Sequence, residues 1–73
     1  MKVVEVAGDV RTRAQFGCPA PAYAFSEWLR RQGYAVNVYD ADNIKIRPEE
    51  KARAELLVRE FVVASNQGRG MAS

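Results

Sequence analysis

A chain of 73 residues with no histidine and one cysteine, Cys18, is one small domain and excludes imidazole-based catalytic triads, His-containing zinc sites and an internal disulfide. Eleven Lys and Arg against nine Asp and Glu leave a net charge of +2, too mild a balance to demand nucleic acid as a partner. No run approaches the ~18 to 20 apolar residues of a membrane span, Glu5 and Asp9 interrupt the place where a signal peptide would begin, and a small domain without disulfides suits a reducing compartment, so the expectation is a cytoplasmic protein that does not enter membranes.

From Lys2 to Phe16 the residues alternate. Val4, Val6, Val10, Thr12, Ala14 and Phe16 fall on one side, and Glu5, Arg11, Arg13 and Gln15 on the other, which is the period of a half-buried hairpin. A three-residue loop Ala7-Gly8-Asp9 sets Val6 opposite Val10 and Glu5 opposite Arg11, keeping apolar with apolar and pairing opposite charges. The alternative is an irregular connection from Arg11 to Gly17. Gly17-Cys18-Pro19-Ala20-Pro21 cannot continue a strand, and Pro21 suits the first turn of a helix. Ala22, Phe25, Trp28 and Leu29 then share a face, making Phe25 and Trp28 core anchors. Gly33 supplies the left-handed stop.

A second alternation runs through Tyr34-Ala35-Val36-Asn37-Val38, a polar loop from Tyr39 to Asn43, and Ile44-Lys45-Ile46-Arg47. A hairpin here sets Val38 against Ile44 and Val36 against Ile46. Pro48 opens the last helix, with Glu49 and Glu50 at its positive end. Ala54, Leu57, Val58, Phe61 and Val62 form its apolar stripe, and Glu49 with Arg53 and Glu55 with Arg59 are favourably spaced ion pairs. From Ser65 to Ser73 periodicity is lost, so residues 1–64 read as one domain and 65–73 as a flexible tail.

The resulting order is ββαββα, an α+β fold with a small antiparallel sheet and both helices on one face. The two halves resemble one another, each a short hairpin followed by a proline-led helix. With the Val and Ile side covered by helices, the outer side of the sheet carries Val3, Glu5, Arg11, Arg13, Asn37, Lys45 and Arg47, bordered by Tyr39. Arg11, Arg13, Lys45 and Arg47 are candidates for following a phosphate backbone, although cations on an exposed sheet also serve solubility and oppose edge-to-edge pairing. On the last helix Ala52, Leu56 and Val63 lie opposite the core stripe. Either this second apolar side is buried against a partner, for which a two-fold homodimer is the commonest arrangement, or these are scattered exposed apolar residues of the ordinary kind.

Catalytic and cofactor motifs do not assemble. Asp40-Ala41-Asp42-Asn43 begins like a calcium loop, but Lys45 stands at its glycine position and Lys51 at its bidentate acid. Cys18 precedes a helix that would favour a thiolate, with no histidine or second cysteine to complete a nucleophilic or redox pair. The dispersed glycines form neither a dinucleotide fingerprint nor a phosphate-binding loop. The helix, hairpin and helix from Pro21 to Val63 resemble small cytoplasmic domains that precede bacterial rhomboid proteases, and docking domains of peptide-synthetase assembly lines. That resemblance covers just over half the chain and implies contacts rather than catalysis. The reading is a non-enzymatic, self-associating protein-interaction module without metal or cofactor; the alternative is a nucleic-acid-binding protein.

Overall fold

The computed structural model describes residues 1–41 and 45–72, with side chains to residue 66. Strand β1 (Lys2–Val6) leads through a single 3-10 turn (Val10–Thr12) to β2 (Ala14–Phe16), helix α1 (Pro19–Arg31), β3 (Val36–Asp40) and helix α2 (Pro48–Ala72). The fold class is the expected one, α+β, with a three-stranded antiparallel sheet and two helices.

Strand β1 lies at the centre of the sheet and is apolar and covered on both faces. Val3 and Val4 are adjacent and both 0% exposed, and neighbouring residues of a strand point to opposite faces. One edge of β1 pairs with β2, setting Val4 against Ala14 and Lys2 against Phe16. Its other edge pairs with β3, setting Val4 against Val38 and Val6 against Val36. Strands β2 and β3, both antiparallel to β1, are therefore parallel to each other, and α1 carries the chain between them across the Val4 face.

Helix α1 begins two residues earlier than Pro21, at Pro19, where a missing N–H costs nothing because the first helical amides have no intrahelical acceptor. Its buried side is Ala22, Phe25, Ser26 and Leu29, and the Ser26 hydroxyl donates to the Tyr23 carbonyl at 2.7 Å. Gly33, at φ +99°, ends it. Helix α2 starts from a reciprocal cap. The Arg47 N–H donates to Glu50 Oε2 at 3.3 Å, and the Glu50 N–H donates to the Arg47 carbonyl at 2.9 Å. Both helices then meet over the sheet. Val4, Ala14, Ala22, Phe25, Leu29, Ala54 and Leu57 form one buried cluster. The Phe25 ring is its hub, with centroids 5.7 Å from Phe16, 6.1 Å from Trp28 and 5.4 Å from Phe61.

Several local expectations are corrected. The first hairpin does not place Val6 opposite Val10: Val10 is half exposed, and residues from Val10 to Thr12 form the 3-10 turn. The cause is a side-chain competitor for the ladder. Thr12, 1% exposed, accepts the Val6 N–H on its Oγ1 at 2.8 Å and donates to the Asp9 carbonyl at 2.6 Å. The Asp9 carboxylate accepts the Arg11 N–H at 3.0 Å, so pairing resumes only at Ala14. Val3, expected on an open outer face, is fully buried. It sits between Gln15 and Tyr39 on neighbouring strands, and the contact of Arg13 with Glu50 brings the start of α2 to that side.

Val36 and Val38 pair with β1 and not with the segment around Ile46. Ile44 lies outside the described residues, as do Asp42 and Asn43, and Lys45, Ile46 and Arg47 belong to no strand. Arg47 is committed as the helix cap instead. Val62, expected in the core stripe, is 48% exposed, so core packing along α2 ends at Phe61. The helix itself runs on to Ala72, through residues expected to form a tail.

Replacing Thr12 by Val removes both hydroxyl bonds while keeping the shape, leaving the Val6 N–H and Asp9 carbonyl without that partner. Unfolding by denaturant should show a loss of about 1–3 kcal/mol, with Thr12→Ser retaining most of the stability. Phe25→Ala empties the hub of the aromatic cluster and should cost about 3–5 kcal/mol, read in the same titration.

Candidate functional site

The basic residues singled out from the sequence do not form one row on the sheet. Arg11 belongs to the 3-10 turn and holds Asp9, Nε to Oδ1, at 3.1 Å. Arg13 is half-buried beside the sheet, with its Nε 2.7 Å from Glu5 Oε2 and its Nη1 3.9 Å from Glu50 Oε2. Lys45 and Arg47 are exposed on the approach to α2. Tyr39 is partly buried, and that burial, reinforced by the charge of Glu5, raises its hydroxyl pKa against the lowering effect of Arg13. Two of the four candidate cations are thus matched by nearby carboxylates, and two project from the connection.

The residues proposed for self-association share one exposed side. At 3.6 residues per turn, Ala52, Leu56 and Val63 lie opposite Ala54, Leu57 and Phe61. Leu56 is 58% exposed and Val63 50%. With Ala64, Arg59 and Glu60 they line a shallow hollow of about 490 Å³. Ala52 is exposed beyond that hollow.

A second concavity was not anticipated. It lies between β2 and α2, has a volume of about 490 Å³, and takes its apolar lining from Ala14, Ile46, Ala54 and Val58. Sequence reasoning missed it because it gave Ile46 to a strand. The signal available was the conflict between a strand ending at Arg47 and the Arg47-Pro48-Glu49-Glu50 cap, which draws Arg47 into the helix start.

Cys18 is exposed at the N-cap of α1, with no side-chain capping bond. Among the described residues no cluster of three His, Cys, Asp or Glu side chains is placed to hold a metal ion, and no helix is long and apolar enough to cross a membrane. Comparison of the chain with protein-family models, with curated proteins and with solved structures finds no match.

The loop and the sheet margin are held by carboxylates whose affinity for protons is reduced. Hydrogen bonding from Arg11 lowers the Asp9 pKa below 3.8, opposed by burial. The Lys2 ammonium, 2.9 Å away, lowers that of Asp40 below 3.8. Depressed folded-state values make these ion pairs contribute fully above the ordinary carboxylate range and lose that contribution as pH falls through the folded values. Thermal midpoints followed by circular dichroism should therefore decline on acidification below 3.8, and Asp9→Asn should flatten part of that decline. An unchanged acid limb in Asp9→Asn would remove Asp9 from this role.

Proposed function

We propose that the protein is a non-catalytic interaction module of the cytoplasm that associates with a second copy of itself through the outer side of α2. The observation carrying this reading is a helix with two apolar sides, of which the sheet and α1 cover only one. Ala54 and Leu57 are buried; Leu56 and Val63 remain half exposed on the other side of the same helix. A domain of 73 residues has a limited core of its own, so burying this second stripe is a source of stability.

The polar residues around the stripe favour an antiparallel pairing of two α2 helices. With Val63 of one copy over Ala52 of the other, Leu56 packs along the aliphatic stem of Arg59, and Arg53 of each copy, whose Nε is 3.8 Å from Asp9 of its own chain, also lies near Glu60 of the other. The two-fold repeats that attraction at both ends. The lone cysteine and the lack of histidine support the non-catalytic part of the reading and agree with a reducing compartment.

The expected outcome in sedimentation velocity is a concentration-dependent dimer, which Leu56→Glu converts to monomer while the native circular dichroism is retained. A wild type that stays monomeric at high protein concentration refutes the self-association. The nucleic-acid reading draws on fewer free cations, since carboxylates engage Arg11 and Arg13. Binding to a generic oligonucleotide that falls steeply with added salt would favour it.

A further inference from the structure

The groove between β2 and α2 joins three features that recognition of an extended peptide requires: a free strand edge, an apolar floor and a charged rim. The edge follows from the hydrogen-bond alternation of β1. The Ala7 N–H donates to the Ala35 carbonyl at 2.8 Å, and the Ala41 N–H donates to the Met1 carbonyl at 3.0 Å, so odd-numbered positions of β1 bond toward β3. Antiparallel alternation then turns Lys2 and Val4 toward β2, where they face Phe16 and Ala14. Gln15, between those two, directs its own N–H and C=O away from the sheet. Among the described residues neither group has a hydrogen-bond partner.

The floor beside this edge is Ala14 from β2, Ala54 and Val58 from α2, and Ile46 from the approaching segment. An extended chain alternates its side chains, so every second residue of an added strand would face α2: apolar ones in the middle of that row meet this floor, and acidic ones at its ends reach the rim. On the rim stand Lys51 and Arg59 together with one acid, Glu55; Arg13 also lines the groove, but Glu5 engages its charge. Lys45 and Arg47 flank Ile46 and are exposed. The net positive rim suits acidic side chains. A nucleic acid would match the cations but not the apolar floor or the peptide edge, and no aromatic ring is among the groove-lining residues on which a base would stack.

We infer that this groove receives an extended, acidic segment of a partner protein, which adds as a further strand beside β2 through the Gln15 N–H and C=O. The segment lays apolar side chains on Ala14, Ile46, Ala54 and Val58 and, from the same side of the strand, presents carboxylates to Lys51 and Arg59 at the ends of that floor.

The test is a titration of the full chain with a short labelled peptide in which every second residue runs glutamate, valine, valine, glutamate with serines between, read by fluorescence anisotropy and by amide chemical shifts. Saturable binding is expected, with the largest shifts at Gln15 and its neighbours. Gln15→Pro deletes the outward N–H and leaves the β1 ladder intact, and should weaken binding by roughly tenfold. Lys51→Glu, on the exposed side of the groove, should weaken it by roughly fivefold and tests the rim contact of the same groove should Gln15→Pro fail to fold. The matching valine and lysine peptide should not bind. Absence of saturable binding, equal binding of the lysine peptide, or indifference to Lys51→Glu overturns the inference. So does an oligonucleotide that displaces the peptide and shifts the same amides, an outcome that would assign the groove to nucleic acid.

Discussion

The Thr12 hydroxyl governs how the first third of the chain is arranged. By accepting the Val6 N–H and donating to the Asp9 carbonyl, it stands in for a backbone partner at the end of β1 and closes the loop into a 3-10 turn. A buried amide needs an acceptor; once a side chain supplies it, the strands no longer have to pair through Val6. The chain can then turn outward and lay Val10 to Thr12 along α2. Asp9 continues the same linkage, with its carboxylate bound to Arg11 and 3.8 Å from Arg53 of α2. The Thr12 hydroxyl and the Asp9 carboxylate together link the end of β1 to α2.

Helix α2 serves two masters along its length. Ala54, Leu57 and Phe61 hold it to the sheet and to α1, whereas Leu56 and Val63 face away. Lys51, Ala54 and Val58 form one wall of the β2 groove, and Leu56 and Val63 line the hollow on the other flank, with Arg59 bordering both. One helix therefore borders two separate concavities, and it is tied to the rest of the fold by the contact of Glu50 with Arg13 near its start and by the Phe61 ring against Phe25 midway along it.

Periodicity made the helices legible. The stripe of Ala22, Phe25 and Leu29 and that of Ala54 and Leu57 were readable because helix burial repeats with a local, fixed spacing, and Gly33 and Pro48 marked their limits. Strand pairing was less legible, since alternation tells which side of a strand is buried but not which strand lies next to it. Val36 and Val38 satisfy an apolar face against Ile46 and Ile44 as well as against Val6 and Val4; adjacent valines at Val3 and Val4 were the clue that β1 is covered on both faces, as an inner strand is. The turn at Thr12 escaped for a different reason. A threonine in an alternating run is a good strand residue, and its role as a backbone acceptor emerges only from the folded loop. For the surfaces, Leu56 and Val63 were visible as a stripe, while the groove required knowing that Ile46 lies beside β2.

The order β2-β1-β3 carries a kinetic consequence. Strand β1 precedes both of its neighbours in the chain yet must occupy the middle of the sheet, and its second neighbour arrives only after α1 has been made. Until β3 emerges, one row of amides on β1 has no sheet partner, and the loop whose closure completes the sheet spans a whole helix. A nascent chain that stops short of Val36 would hold an open template for strand exchange, and completion of the β3 segment is the event that withdraws it.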